Sequence, residues 1–179
     1  MLFPYATAKR TYRNDYGIKK AIVERKLFRL EEGIYSDEPF ASEEALLCFK
    51  YPKAVLALSS AFYLHGLSDT PPESFVLATS RDAAKIKDPR VRQLFLPEEI
   101  LFLGVSEMGR HGDFRVYDLE RCAVDLLRYK SKFPYEHYKG VLRNLRASLP
   151  KMDIRIMQDY IERMPKSGLL MKRMMEELL

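Results

Sequence analysis

The chain has 179 residues, which at a usual size of ~100–200 residues per domain allows one domain, or a small unit fused to a medium one. A composition of 47% hydrophobic and 31% charged residues supplies a globular core and excludes wholesale disorder, and eight Gly with ten Pro exclude a collagen-like or linker-type chain. The net charge of +5, with a pI near 9.1, permits a polyanionic partner without requiring one.

No apolar run reaches the ~18 residues of a membrane-spanning helix. The opening MLFPYATAKR lacks the apolar stretch of a secretory signal. The expectation is a cytoplasmic protein with no membrane partner. Cys48 and Cys122 each sit in an apolar helical pattern and read as reduced, buried thiols. His65, His111 and His137 are scattered, so no metal site is expected.

Charge is distributed unevenly. Residues 1–30 hold eight basic residues against two acidic ones, a local +6 that exceeds the excess of the whole chain. Residues 31–47 hold six acids and no base. The flip predicts a boundary near Asp37–Pro39, with a small basic module at 1–38 and a second domain at 39–179.

Within the basic module, 5–12 is long enough for a first helix. Asn14 or Asp15 can cap a second that runs to about Lys26. Ile18, Ala21 and Ile22 form one apolar side of it, and Tyr16, Val23 and Leu27 a second, which predicts neighbours on two sides. Residues 27–30 and 34–36 flank Glu31-Glu32-Gly33 and read as a hairpin with Gly in the turn. Helix, turn, helix, hairpin is the order of a winged helix-turn-helix, whose second helix enters the major groove. Arg13, Asn14, Tyr16, Lys19, Lys20 and Arg29 are then the candidate DNA-binding residues. A protein-binding module of the same three elements is the alternative.

The remainder reads as a mixed α/β (α+β) domain. A short helix at 42–50 precedes a buried strand at 54–58. Ser59 or Ser60 starts a helix that stops at Gly66, with Gly66 as left-handed cap, Leu67 packing back and His65 structural. Strands are expected at 75–78, 91–96, 100–105 and 114–117. Asp118 caps a helix with apolar positions Leu119, Cys122, Ala123, Leu126 and Leu127. Three more helices follow, punctuated by Pro134, Pro150 and Pro165. Arg121 and Asp125, four residues apart, are expected to form a surface ion pair. No acid pairing suggests acid–base chemistry and no glycine-rich phosphate loop is present, so no catalytic residue and no cofactor are expected. Lys139, Arg143 and Arg146 share one outward helix face, a possible second nucleic-acid or partner surface. Arg81, Lys85, Lys87, Arg90 and Arg92 form a further basic cluster between strands.

Three segments, YGIKKAIVERKLFRLEEGIYS (16–36), YPKAVLALSSAFYLHGLSD (51–69) and VYDLERCAVDLLRYK (116–130), together resemble the AbiEi family, the antitoxins of bacterial abortive-infection, type IV toxin–antitoxin systems. The resemblance implies a winged helix-turn-helix that binds inverted repeats in the operon's own promoter. It also implies a C-terminal domain that counteracts a nucleotidyltransferase-like toxin without needing a stable complex with it. The region before Tyr16 is shorter than in many members, and the turn of the expected wing carries Glu31-Glu32, which repels phosphate. The alternatives are a stand-alone winged-helix repressor with a sensing or partner-binding C-terminal domain and, more remotely, an enzyme acting on nucleic acid.

Overall fold

A computed structural model describes residues 1–110 and 112–179; His111 lies outside the described residues. The chain divides after Pro52 into units of residues 1–52 and 53–179. The charge flip thus falls inside the first unit, and the boundary stands at 52–53 rather than 38–39. The helix after the flip explains the difference. Ser42 caps it by accepting from the Ala45 N–H at 3.2 Å, and its last residue, Lys50, reaches back to Glu31 at 3.1 Å.

The first unit runs β1 (Leu2–Pro4), α1 (Tyr5–Tyr12), α2 (Asp15–Val23), β2 (Phe28–Glu31), β3 (Ile34–Ser36) and α3 (Glu43–Lys50). The strands form an antiparallel sheet in the order β1-β3-β2, with Phe3 and Arg29 both opposite Tyr35. Strand β1 was not expected, since three residues are too few to show alternation. Gly33 turns the hairpin at φ +74°. Ala8, Ile18, Ala21, Leu27 and Tyr35 make the core, lined further by Phe3, Tyr12 and Ile22.

Helix α2 departs from expectation in two ways. It ends at Val23, not near Lys26. Arg25 takes a left-handed φ of 54°, its N–H bonds the Ile22 carbonyl, and the Lys26 N–H reaches the Ala21 carbonyl at 2.9 Å. That is a Schellman closure built without glycine. The second departure is that only one side of α2 is covered. Ile18 and Ala21 are buried, whereas Tyr16 is 76% and Val23 83% exposed.

The second unit is built on a five-stranded mixed sheet. Its elements begin β4 (Val55–Leu56), α4 (Ser59–Leu64), β5 (Phe75–Ser80), β6 (Val91–Leu96), α5 (Glu98–Leu101), β7 (Val105–Met108) and β8 (Phe114–Tyr117). They continue with α6 (Leu119–Arg128), α7 (Tyr135–Ser148), α8 (Ile154–Glu162), α9 (Ser167–Arg173) and a π-helical turn at Met174–Leu178. The sheet order is β6-β5-β4-β8-β7; β5 and β6 are parallel, as are β4 and β8, and the other two pairings are antiparallel. The α/β class and the helix-rich C-terminal part agree with the sequence reading. Gly66 has φ +68°, Leu67 is buried, and the Leu67 N–H closes onto the Phe62 carbonyl at 2.7 Å, as the cap requires. Cys48 and Cys122 are both buried thiols outside any disulfide.

Two expectations fail in this unit, for one reason. The strand expected at 100–105 is instead the short helix α5, a turn at Gly104 (φ +74°) and a strand that begins only at Val105. Arg121 and Asp125, expected on the surface, are 0% and 1% exposed, with Nε 3.1 Å from Oδ2. The Arg121 Nη1 donates to the carbonyls of Ile100 at 2.8 Å and Leu103 at 2.7 Å. These carbonyls turn toward the guanidinium and not into a strand ladder. The guanidinium also lies 4.1 Å from the Tyr117 ring centroid. Gly104 allows the approach, since a Cβ there would stand 2.8 Å from the Arg121 Cβ. Burial pushes the Asp125 carboxyl above the ordinary carboxylate range, against the pull of Arg121.

Candidate nucleic-acid interface

The outward face of α2 follows from how the helix is held. The Asn14 side chain accepts from the Gly17 N–H at 2.8 Å, so this candidate contact residue is occupied as the helix cap. Gly17 lets α2 cross close behind α1; a Cβ there would stand 2.1 Å from the Tyr12 carbonyl oxygen. Tyr5 donates its hydroxyl to Asp15 across the same junction. With Ile18, Ala21 and Ile22 turned to the core, positions 16, 19, 20 and 23 form a single outward stripe at helical spacing. The stripe reads Tyr16, Lys19, Lys20, Val23.

All six candidate residues are exposed. Arg13 sits in the turn just before the stripe, at φ 69°. Tyr16, Lys19 and Lys20 belong to the stripe itself. Arg29 is carried by β2 and belongs to the hairpin, not the helix. Lys20 stands 3.9 Å from Glu24, whose stronger partner is Lys26 at 2.8 Å. The hydrogen bond from Lys26 holds Glu24 below the usual carboxylate range. Among the described residues, Arg13, Lys19 and Arg29 have no acidic partner. In the hairpin, Glu31 is engaged by Lys50, which leaves Glu32 as the exposed acid of that turn. Val23 joins the exposed stripe against expectation, because its spacing from Tyr16 and Leu27 reads as a second buried side.

The second basic surface is only partly free. Tyr138, Val141, Leu142 and Leu145 are buried, which leaves Lys139, Arg143 and Arg146 on the opposite face of α7. Lys139 lies 5.0 Å from the ring centroid of the exposed Tyr135. Arg146 is occupied, since its Nε donates to the Glu177 carbonyl at 2.9 Å. Glu177 also accepts from Lys130 Nζ and the Tyr138 hydroxyl, each at 2.7 Å. Burial alone would raise its carboxyl, but these two donors outweigh that and hold it below the usual range. In the other basic cluster, Arg90 pairs with Asp88 at 2.8 Å.

His65 is structural: its Nε2 lies 2.7 Å from the Tyr117 carbonyl. Among the described residues no group of three His, Cys, Asp or Glu could hold a metal ion, and no helix is long and apolar enough to cross a membrane.

No family model matches the chain. No curated protein matches it either. Among solved structures, it is similar to the crystal structure of the RV2827C protein from Mycobacterium tuberculosis, at 15% identity and a TM-score of 0.59, over 95% of this chain and 71% of that chain. At that identity the likeness concerns the fold alone.

Proposed function

We propose that the first unit is a winged helix-turn-helix that binds duplex DNA through the outward face of α2, and that the chain is an autoregulating antitoxin of the kind its sequence resembles. The carrying observation is the stripe of Tyr16, Lys19, Lys20 and Val23. A helix packed on one side only, which shows two large apolar side chains and two lysines on the other, needs a partner that is apolar in places and anionic in others. The major groove offers both, in thymine methyl groups and flanking phosphates. Lys19, Lys20 and Arg13 would meet phosphate or guanine, and Tyr16 and Val23 the methyl groups. The hairpin with Arg29 would serve as the wing. The second unit would carry the antitoxic role against a nucleotidyltransferase-like toxin, with no catalytic step assigned to it.

Two measurements test this reading. Gel shift with the chain's own promoter fragment should give a specific complex, weakened by Lys19→Ala with Lys20→Ala. Co-expression with the toxin encoded next to it should rescue growth. A chain that binds its promoter but has no toxin to oppose would be a stand-alone repressor. A chain that binds no promoter DNA contradicts the assignment of α2.

A further inference from the structure

A cleft of about 450 Å³ opens in the second unit between β5 and β6, the turn into α4 and the segment leading into α7. That volume suits a small molecule. One wall is aromatic. Phe133 and His137 lie 5.6 Å apart between ring centroids, and Phe133 is backed by Phe62 at 5.7 Å. Arg92 and Lys132 bring positive charge to the lining against the single acid Glu73.

These bases are unspent. Neither side chain has an ion pair or hydrogen bond among the described residues, whereas their neighbours Arg90 and Lys130 are held by Asp88 and Glu177. The hydroxyl of Ser59, also in the lining, has no partner among them either. Ser60, one residue on, accepts from the Val76 N–H at 2.8 Å. The backbone at the cleft is unusual as well. Leu58 is held at φ 49° and ψ −126°, outside the regions open to a branched side chain without strain. The strain turns the chain sharply from β4 into α4 and places Ser59 at the cleft. Strained backbone of this kind gathers at ligand-binding sites.

We propose that this cleft binds a small planar aromatic anion of mononucleotide size, with the ring against Phe133 and His137 and the acidic group held by Arg92 and Lys132. The chemistry is shared by nucleoside monophosphates and aromatic carboxylates. Isothermal titration of the full chain with AMP, 4-hydroxybenzoate and inorganic phosphate separates them. The expected result is saturable binding of an aromatic anion and none of inorganic phosphate; AMP alone assigns the site to nucleotides, 4-hydroxybenzoate alone to aromatic acids. Arg92→Gln and Lys132→Gln should each weaken binding about tenfold, the loss of one charge-assisted hydrogen bond. Lys151→Gln, an exposed base outside the lining, should change nothing. Both cleft bases are exposed, so these variants should keep the melting temperature of the parent. Failure of both aromatic anions to bind at millimolar concentration overturns the proposal. Binding that neither cleft substitution weakens also overturns it, and so does inorganic phosphate that binds as well as AMP.

Discussion

Replacing Asp125 with Leu should remove a large part of the stability of the second unit. The two charges are fully buried, and among the described residues Asp125 is the only acid paired with Arg121. After the substitution the guanidinium keeps the carbonyls of Ile100 and Leu103 and the Tyr117 ring but loses its counter-charge. Leaving one buried partner unpaired costs about 3–5 kcal/mol. For a chain of this size that is a fall of roughly 6–20 °C in melting temperature. Arg121→Met with Asp125→Leu removes both charges and should recover part of the loss. Recovery should be incomplete, because the carbonyls of Ile100 and Leu103 then lose their donor, at about 1–3 kcal/mol for each one left unsatisfied. Urea unfolding of the parent, the single and the double variant, followed by far-ultraviolet circular dichroism at neutral pH, gives the loss and the extent of its recovery. A loss below about 0.5 kcal/mol for Asp125→Leu, the size of an exposed helical ion pair, would refute the buried pair and with it the account of why 100–105 is not a strand.

Gly17→Ala should destabilise the first unit by about 1–3 kcal/mol through the clash with the Tyr12 carbonyl, seen as early loss of NMR signals from residues 1–52 on heating. Lys139→Glu with Arg143→Glu should leave the stability within about 0.5 kcal/mol of the parent. Arg146→Glu should cost about 1–2 kcal/mol by losing the Glu177 carbonyl, and thermal melts of the two variants separate these effects. The lowered carboxyl of Glu177 stabilises the fold above its unfolded value of ~4.3, and that contribution disappears as pH falls through the still lower folded value. Glu177→Gln should therefore lower stability at neutral pH by about 1 kcal/mol and flatten the acid limb of a melting-temperature profile.

Periodicity read the helices well where one face alone is buried. Tyr138, Val141, Leu142 and Leu145 announce the covered side of α7, and Gly66-Leu67 the end of α4. It failed where a helix is buried on nearly all sides. From Arg121 to Leu127 every residue of α6 is buried, and a charge pair four residues apart inside such a helix looks the same in sequence as one on a surface. It failed in the opposite sense at α2. Apolar Tyr16 and Val23 imply burial, yet they lie bare, and local pattern cannot tell a face that packs within the chain from one kept for a partner. The cleft was not legible at all. Leu58, Arg92 and the segment from Lys132 to His137 are far apart in sequence and meet only through the topology of the sheet. The bases between strands were visible as a cluster, but only the fold separates Arg90, which is paired, from Arg92, which has no partner among the described residues.

The proposal that the first unit binds duplex DNA through α2 is tested most directly by the salt dependence of affinity for the chain's own promoter fragment. Fluorescence anisotropy titrations across a series of salt concentrations give the slope of log Kd against log salt for the parent and for Lys19→Ala with Lys20→Ala. Each phosphate contact contributes about 0.9 to that slope. If both lysines meet phosphate, the double variant should bind more weakly and its slope should be shallower by about 1.8. Because both side chains are exposed, its melting temperature should not move. Equal slopes and equal affinities for the two proteins would contradict the account and return the stripe on α2 to a solvated surface.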